Sequence, residues 1–269
     1  MVQQLEVENL TFQHDQRLNS KTLSNVSFTV QKGEWLAIIG HNGSGKSTLA
    51  QLLVGLLVPE NGQISADGLI MTEDTKWEIR RKIGLVFQNP ENQFIGSTVQ
   101  DDVAFGLENL NMSYNEMKIR VDEALEMVNM TRFRFHEPTN LSGGQMQRVA
   151  IAGALALKPS ILLLDEAFVM LDPLSRKDLL ETLENLKITE DLTIISITHD
   201  VNETAVSDRV LVMESGEVVN SGSPEEIFLA EQAIDPPFAE QLRRDLMAKG
   251  RSVPETYMTE REMLGWLCK

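Results

Sequence analysis

The sequence predicts an α/β fold: a sheet with a parallel core, preceded by antiparallel β structure, interrupted by a helical insertion and followed by a small helical tail. Three observations predict it. The runs WLAIIG (35–40), ILLLDE (161–166) and LTIISIT (192–198) are apolar at successive positions instead of alternating. Strands apolar on both faces belong in the middle of a sheet covered by helices. Helical patterns lie between these runs, as parallel strands require. The first run also ends at a glycine-rich loop and gives way to TLAQLLVGLL (48–57), a helical segment.

The elements follow in order. LEVENLTF (5–12) and VSFTV (26–30) alternate apolar and polar residues, the mark of half-buried antiparallel strands. The middle, from about 88 to 158, lacks strand runs. There Ser113 and Glu116 form a capping box ahead of a helix with Met117, Val121, Leu125 and Val128 on one face. A second helix spans about 142–157 and stops before Lys158-Pro159. After Gly222, Ser223 and Pro224 cap and open another helix, Gly250 ends a further helical pattern, and Thr259 with Glu262 forms a second capping box. The expected division is a main domain, 1–222, with its helical subdomain at about 88–158, and a helical extension, 223–269.

Composition narrows the function. The 269 residues are 42% hydrophobic and 24% charged, enough for a self-supporting core. No apolar stretch reaches the ~18 residues of a membrane span, and the N-terminus does not read as a secretory signal. The single cysteine, Cys268, forms no internal disulfide, which fits a reducing cytoplasm. With 24 basic against 40 acidic residues the net charge is −16, which disfavours nucleic acid and anionic lipid as non-specific partners. Contact with a membrane is therefore expected through a protein partner.

Chemistry begins at GHNGSGKST, from Gly40, His41, Asn42, Gly43, Ser44 and Gly45 to Lys46, Ser47 and Thr48. It matches G-x-x-x-x-G-K-[ST] in full, a pattern arising by chance in about one chain in a hundred of this length. Its glycines let backbone N–H groups turn inward around phosphate oxygens at a helix N-terminus. Lys46 supplies a cation to the β- and γ-phosphates, and Ser47 a hard oxygen for Mg²⁺. Asp165, ending an apolar strand, is placed to reach the Mg²⁺ shell, and Glu166 to deprotonate an attacking water. A strand-end Asp-Glu alone also reads as a helix cap; the phosphate loop gives the pair its meaning. His199, after the strand ending Thr198, fits a γ-phosphate contact. LSGGQ (141–145) opens a helix: Ser142 caps it, while Gly143 and Gly144, followed by Gln145, permit close backbone approach at a second anion-binding terminus. Two such ends suit a subunit that uses one on its own nucleotide and offers the other to a neighbour.

Over residues of about 5 to 222 these motifs resemble, in order, those of the ATP-binding cassette (ABC) ATPases. The resemblance implies a P-loop ABC-type nucleotide-binding domain that binds ATP and Mg²⁺ and hydrolyses ATP. It makes Gln88 in LVFQNP the Q-loop glutamine and a further Mg²⁺ ligand, Asp172 in MLDP the D-loop aspartate, and His199 the switch histidine. It implies a head-to-tail sandwich with a second homologous ATPase, in which each phosphate loop faces the partner's LSGGQ. The run VFQNPENQFIGSTVQDDVAFGLEN (86–109) is similar to the ATPase subunits of energy-coupling factor (ECF) transporters. That likeness implies importers of vitamins and other micronutrients, with a transmembrane coupling protein and a substrate-binding membrane subunit. The ATPase sits at the cytoplasmic side of the cell membrane, commonly as a heterodimer, and the opening segment and phosphate loop resemble the first of the two paired chains. A conventional ABC transporter ATPase is the alternative, with a soluble non-transport ABC ATPase behind it.

Some residues depart from the pattern. His14 stands where the family stacks an aromatic on adenine, and imidazole stacks less extensively. Phe168 and Val169 replace small or hydroxylated residues and are expected to alter the dimer seam. Glu91, Asp101 and Asp102, beside Phe94, Val103 and Phe105, read as an acidic, apolar-rimmed surface for a basic coupling helix, or else as a solvated helix face. Trp266 and Leu267 suggest a contact surface on the tail, or a tail packed on its own domain.

Overall fold

A computed structural model of the chain describes residues 2–14, 21–230 and 235–268. Alternating hydropathy forms the first layer. Strands β1 (Gln3–Phe12) and β2 (Leu23–Gln31) pair antiparallel, with Val7 opposite Phe28, and bury Leu5, Val7 and Leu10. The apolar run becomes β3 (Trp35–Ile39), buried at all five positions. Helix α1 (Lys46–Leu53) follows the glycine loop but stops short of the expected Leu57, because Gly55 turns left-handed at φ 65°. Then come β4 (Asn61–Ala66), β5 (Leu69–Ile70), α2 (Lys76–Lys82) and β6 (Ile83–Val86). The sequence does not announce β6: four residues, one of them Gly84, are too few to display a period.

The expected helical insertion is made of α3 (Val99–Glu108), α4 (Tyr114–Met127) and α5 (Gly143–Ala156). The Ser113–Glu116 capping box forms, and Val121, Leu125 and Val128 face inward. Next are β7 (Ile161–Asp165), α6 (Pro173–Thr189), β8 (Thr193–Thr198), β9 (Arg209–Glu214) and β10 (Glu217–Gly222). Helices α7 (Pro224–Ala230), α8 (Phe238–Ala248) and α9 (Glu260–Leu267) close the chain. The Thr259–Glu262 box forms at α9, and Gly250 ends α8 at φ 73°.

Two sheets result, ordered β2-β1-β4-β5 and β10-β9-β3-β8-β7-β6. In the larger, β6, β7, β8, β3 and β9 run parallel and only β10 is antiparallel. Alternate residues of each central strand serve opposite faces. Leu36, Ile38, Leu163 and Ile195 pack with Leu49, Leu52 and Leu53 of α1 and with the antiparallel sheet. Trp35, Leu162, Leu164 and Ile194 pack on the other side with α3, α5 and α6. The Trp35 indole is fully buried and donates to Ser196 Oγ at 3.0 Å, so truncation to Ala costs about 3–5 kcal/mol. Because both faces are covered, the C-terminal strand ends are left as the place where loops meet, and Gly40, Glu166 and His199 all follow such ends.

Candidate functional site

The loop between β3 and α1 exposes His41, Asn42, Gly43 and Ser47 while burying Ser44 and Lys46. Gly43 (φ 83°) has open space where a Cβ would be, so its need is conformational alone. Gly45 (φ 98°) is doubly constrained, since a Cβ there would come within 2.6 Å of Leu23. The Lys46 ammonium donates to the carbonyls of Gly40 at 2.8 Å and His41 at 3.1 Å. Burial lowers its pKa, and the nearby carboxylates of Glu166 and Asp165 oppose that shift. His14 lies at the rim, its Nε2 3.1 Å from Thr48 Oγ1 and its ring edge-on to Phe12.

Asp165 ends β7, and its Oδ1 accepts from Ser47 Oγ at 3.4 Å. Burial, then the neighbouring Glu166, pushes its carboxyl up. Glu166 sits in left-handed backbone at φ 51°, its N–H donating to Ile197 O at 2.8 Å. That turn brings its Oε1 within 3.5 Å of His199 Nδ1. Thus residues from two strand ends, those of β7 and β8, converge beside the phosphate loop that follows β3.

Among the described residues no cluster of three or more His, Cys, Asp or Glu could hold a metal ion by itself. The hydroxyl of Ser47 and the carboxylate of Asp165 are nonetheless the hard oxygens that Mg²⁺ accepts, with a bound ligand's phosphates completing the shell. The buried Ser44 Oγ, which has no hydrogen-bond partner, is an orphan polar atom inside the same cradle. Gln88 is exposed just past β6 and makes no hydrogen bond within the described chain.

The LSGGQ helix begins elsewhere. Ser142 caps α5, accepting from Gln145 N at 3.3 Å, while Gln145 Oε1 accepts from Ser142 N at 3.0 Å. Gln145 is therefore turned back onto its own helix, and only Ser142 is exposed. Gly144 lies against α6, where a Cβ would meet Ser175 Cβ at 2.9 Å. A cleft of about 460 Å³ opens here, lined by Ser142, Gly144, Arg148, Ser175 and Asp178 among others and by no residue of the phosphate loop. Asp172 caps α6 by accepting from Leu174 and Ser175 N–H, and those bonds from Ser175 hold its carboxyl low.

Two expectations need correction. Phe168 is 1% exposed and packs in the core with α5 and α6, so it cannot alter a seam. Val103 is fully buried and forms no rim. Asp102 is half-buried, and its Oδ1 accepts from Ile95 N at 2.8 Å and Gly96 N at 3.0 Å. Asp101 accepts from Thr98 Oγ1 at 2.6 Å, which leaves Glu91 as the exposed acid of the three without such a bond.

Sequence reasoning missed what surrounds His199. Arg176 of α6 pairs with Asp200, and Glu203, 2% exposed, sits in the short 3₁₀ turn Val201–Val206. Burial pushes the Glu203 carboxyl up to about 7. Its spacing from His199 matches one helical turn, but a lone acid at that distance carries no distinctive pattern.

A family model described as ABC transporter matches residues 23–169, and one described as the energy-coupling factor transporter EcfA1 C-terminal domain matches 237–269. The chain is 52% identical over 263 residues to the energy-coupling factor transporter ATP-binding protein EcfA1 of Streptococcus pneumoniae, covering 96% of each. It is 50% identical to the protein of that name from Ligilactobacillus salivarius, over 98% of this chain and 95% of that one. Among solved structures it is similar to cbiO1 of Clostridium perfringens, described as part of the ABC transporter complex cbiONQ. The TM-score is 0.82 at 33% identity, over 93% of this chain and 98% of that one. It is also similar to the dimeric ATP-binding cassette MJ0796 in a post-hydrolysis state bound to ADP and Pi, at TM-score 0.74 and 33% identity, over 81% of this chain and 98% of that one.

Proposed function

Since the chain belongs to the ATP-binding proteins of energy-coupling factor transporters, a branch of the ABC transporter ATPases, we propose how its own residues perform ATP hydrolysis and with whom. The observation that carries the proposal is the convergence of Asp165, Glu166 and His199 on the loop holding Lys46 and Ser47.

Lys46 leaves the carbonyls of Gly40 and His41 and turns its ammonium to the β- and γ-phosphate oxygens. Ser47 and Asp165, with Gln88, would hold Mg²⁺, which when bound neutralises charge on the transferring phosphoryl group. Glu166 takes the proton of the attacking water, His199 orients that carboxylate, and Gln88 and His199 meet the terminal phosphate. The balance is ATP + H₂O → ADP + phosphate. Gly40 through Thr48 cradle the triphosphate, with His14 beside the base. Ser142, Gly143 and Gly144 serve a partner's nucleotide, which their separate cleft supports; Gln145 holds Ser142 in place. Asp172 keeps α6 at that seam.

The partner is a second homologous ATPase in head-to-tail arrangement, a heterodimer. The pair drives a transmembrane coupling protein and a substrate-binding membrane subunit for vitamins or other micronutrients. No described helix is long and apolar enough to cross a membrane, so the chain attaches to the inner face through those partners. Residues 1–222 are the ATPase domain and 223–269 the extension. Mild-detergent affinity purification from host membranes, with mass identification, tests this reading. Recovery of a second ATPase, one larger membrane protein and several small hydrophobic ones is expected; a standard permease pair would overturn it.

A further inference from the structure

Gln147 lies on α5, two residues past the LSGGQ motif, and is fully buried. Its Nε2 donates to the carbonyl of Phe87 at 3.3 Å, while its Oε1 is buried with no hydrogen-bond partner. An amide left half-satisfied in a core is worse placed than an apolar side chain of the same size. The bond to Phe87 is what the amide offers in return. Phe87 is held from its other side as well: its N–H donates to Gln93 Oε1 at 3.1 Å. Both backbone groups of the residue before Gln88 are thus clamped by side-chain amides, whereas Gln88 itself is exposed and unbonded.

We infer that Gln147 is a positioning residue for Gln88, acting through the backbone of Phe87 so that the LSGGQ helix and the sensor loop move as one piece. The inference rests on the proposed reading of Gln88 as a group that meets the terminal phosphate. Helix α5 carries Ser142 at its start and the Phe87 clamp one turn later. A sensor hinged directly after a pinned residue has its pivot set by α5. Any rotation of the helical block then shifts where Gln88 reaches, and a ligand that draws Gln88 inward pulls on α5 in turn. Without the clamp the loop end keeps the Gln93 contact alone and gains conformers that do not reach the nucleotide.

The test is a double-mutant cycle in the assembled membrane complex, comparing Gln147→Met, Gln88→Ala and both together by steady-state ATP hydrolysis. Methionine keeps the side-chain length and removes the donor. Gln147→Met is expected to lower kcat about fivefold while leaving the KM for ATP within about twofold. The double variant is expected to be no slower than Gln88→Ala alone, because Gln147 works only through Gln88. Should Gln147→Met keep its kcat while Gln88→Ala loses it, or should the two losses multiply, the inference is overturned and the Gln88 reading stands. Should Gln88→Ala retain full kcat, the Gln88 reading itself fails and takes the inference with it. If Gln147→Met lowers the melting temperature sharply, Gln147→Leu supplies the same comparison, since it fills similar space and cannot donate.

Discussion

Nδ1 of His199 lies 3.5 Å from Oε1 of Glu166, although 33 positions separate them, because β7 and β8 are adjacent parallel strands that end side by side. Glu166 reaches this spot through left-handed backbone at φ 51°, a conformation that costs about 1–3 kcal/mol for a residue with a Cβ. The strain is repaid by aiming a carboxylate over the phosphate loop. Glu166→Gln keeps the shape and hydrogen-bonding capacity but cannot take a proton. It is expected to lower kcat for ATP about 10²-fold or more, with ATP affinity unchanged. Turnover of the reconstituted complex alongside fluorescent-nucleotide binding checks it, and intact turnover would remove Glu166 as the base.

Glu203 predicts a pH dependence of stability. Its carboxyl titrates near 4.5 when exposed and at about 7 in the fold, where burial raises it first, and where Asp200 and Glu166 add to that against Thr198 and Arg176. The folded state therefore holds the proton more tightly than the unfolded chain. This contribution is complete below pH 4.5 and is lost as pH rises through about 7. A shift of that size corresponds to about 3 kcal/mol. Glu203→Gln, which never ionises, is expected to melt higher than the parent at about pH 8 and at nearly the same temperature at about pH 5. Equal differences at both pH values would count against it.

The contrast between Glu166 and Glu203 explains what was legible beforehand. Asp165 and Glu166 stand out because a strand apolar at every position ends on two acids, a local pattern that folding only confirms in space. The caps at Ser113, Ser142 and Thr259 are equally local, each closed within three residues. Glu203, the Gln147–Phe87 bond and the Arg176–Asp200 pair are not legible. Each joins segments that only the sheet order and the packing of α5 and α6 bring together, and each uses a residue type that is ordinary on a helix surface. The tie of Asp102 to the N–H groups of Ile95 and Gly96 was hidden for the same reason, since sequence does not display backbone partners.

The acidic face of the helical subdomain can be tested at Glu91, with Asp102 as the contrast. Asp102 caps the N–H groups of Ile95 and Gly96, so Asp102→Ala orphans two donors and is expected to cost about 2 kcal/mol of stability. Glu91 is exposed, and Glu91→Lys is expected to leave the melting temperature unchanged while reducing recovery of the membrane partner in detergent pull-downs. Equal recovery with both charges would mean that the coupling helix docks elsewhere.

The C-terminal extension depends on one buried acid. Glu240 is fully buried on α8 and accepts from Arg243 at 2.7 Å through both oxygens and from Arg244 at 2.9 Å. Arg243 also donates to Pro254 O at 3.0 Å, and Arg244 to Phe228 O, so the cluster ties α8 forward to the approach of α9 and back to α7. Tyr257 stacks on Phe228, the ring centroids 6.4 Å apart, and closes the same junction. Glu240→Ala leaves Arg243 buried without its counter-charge, which costs about 3–5 kcal/mol. Because the cluster lies beyond β10, that loss is expected to fall on the extension and not on the phosphate loop. Limited proteolysis should then cut the variant between 249 and 259 well before the parent, while ATP binding stays the same. A variant that loses nucleotide affinity together with protease resistance would show that tail and ATPase domain unfold as one unit, against the proposed boundary at 222.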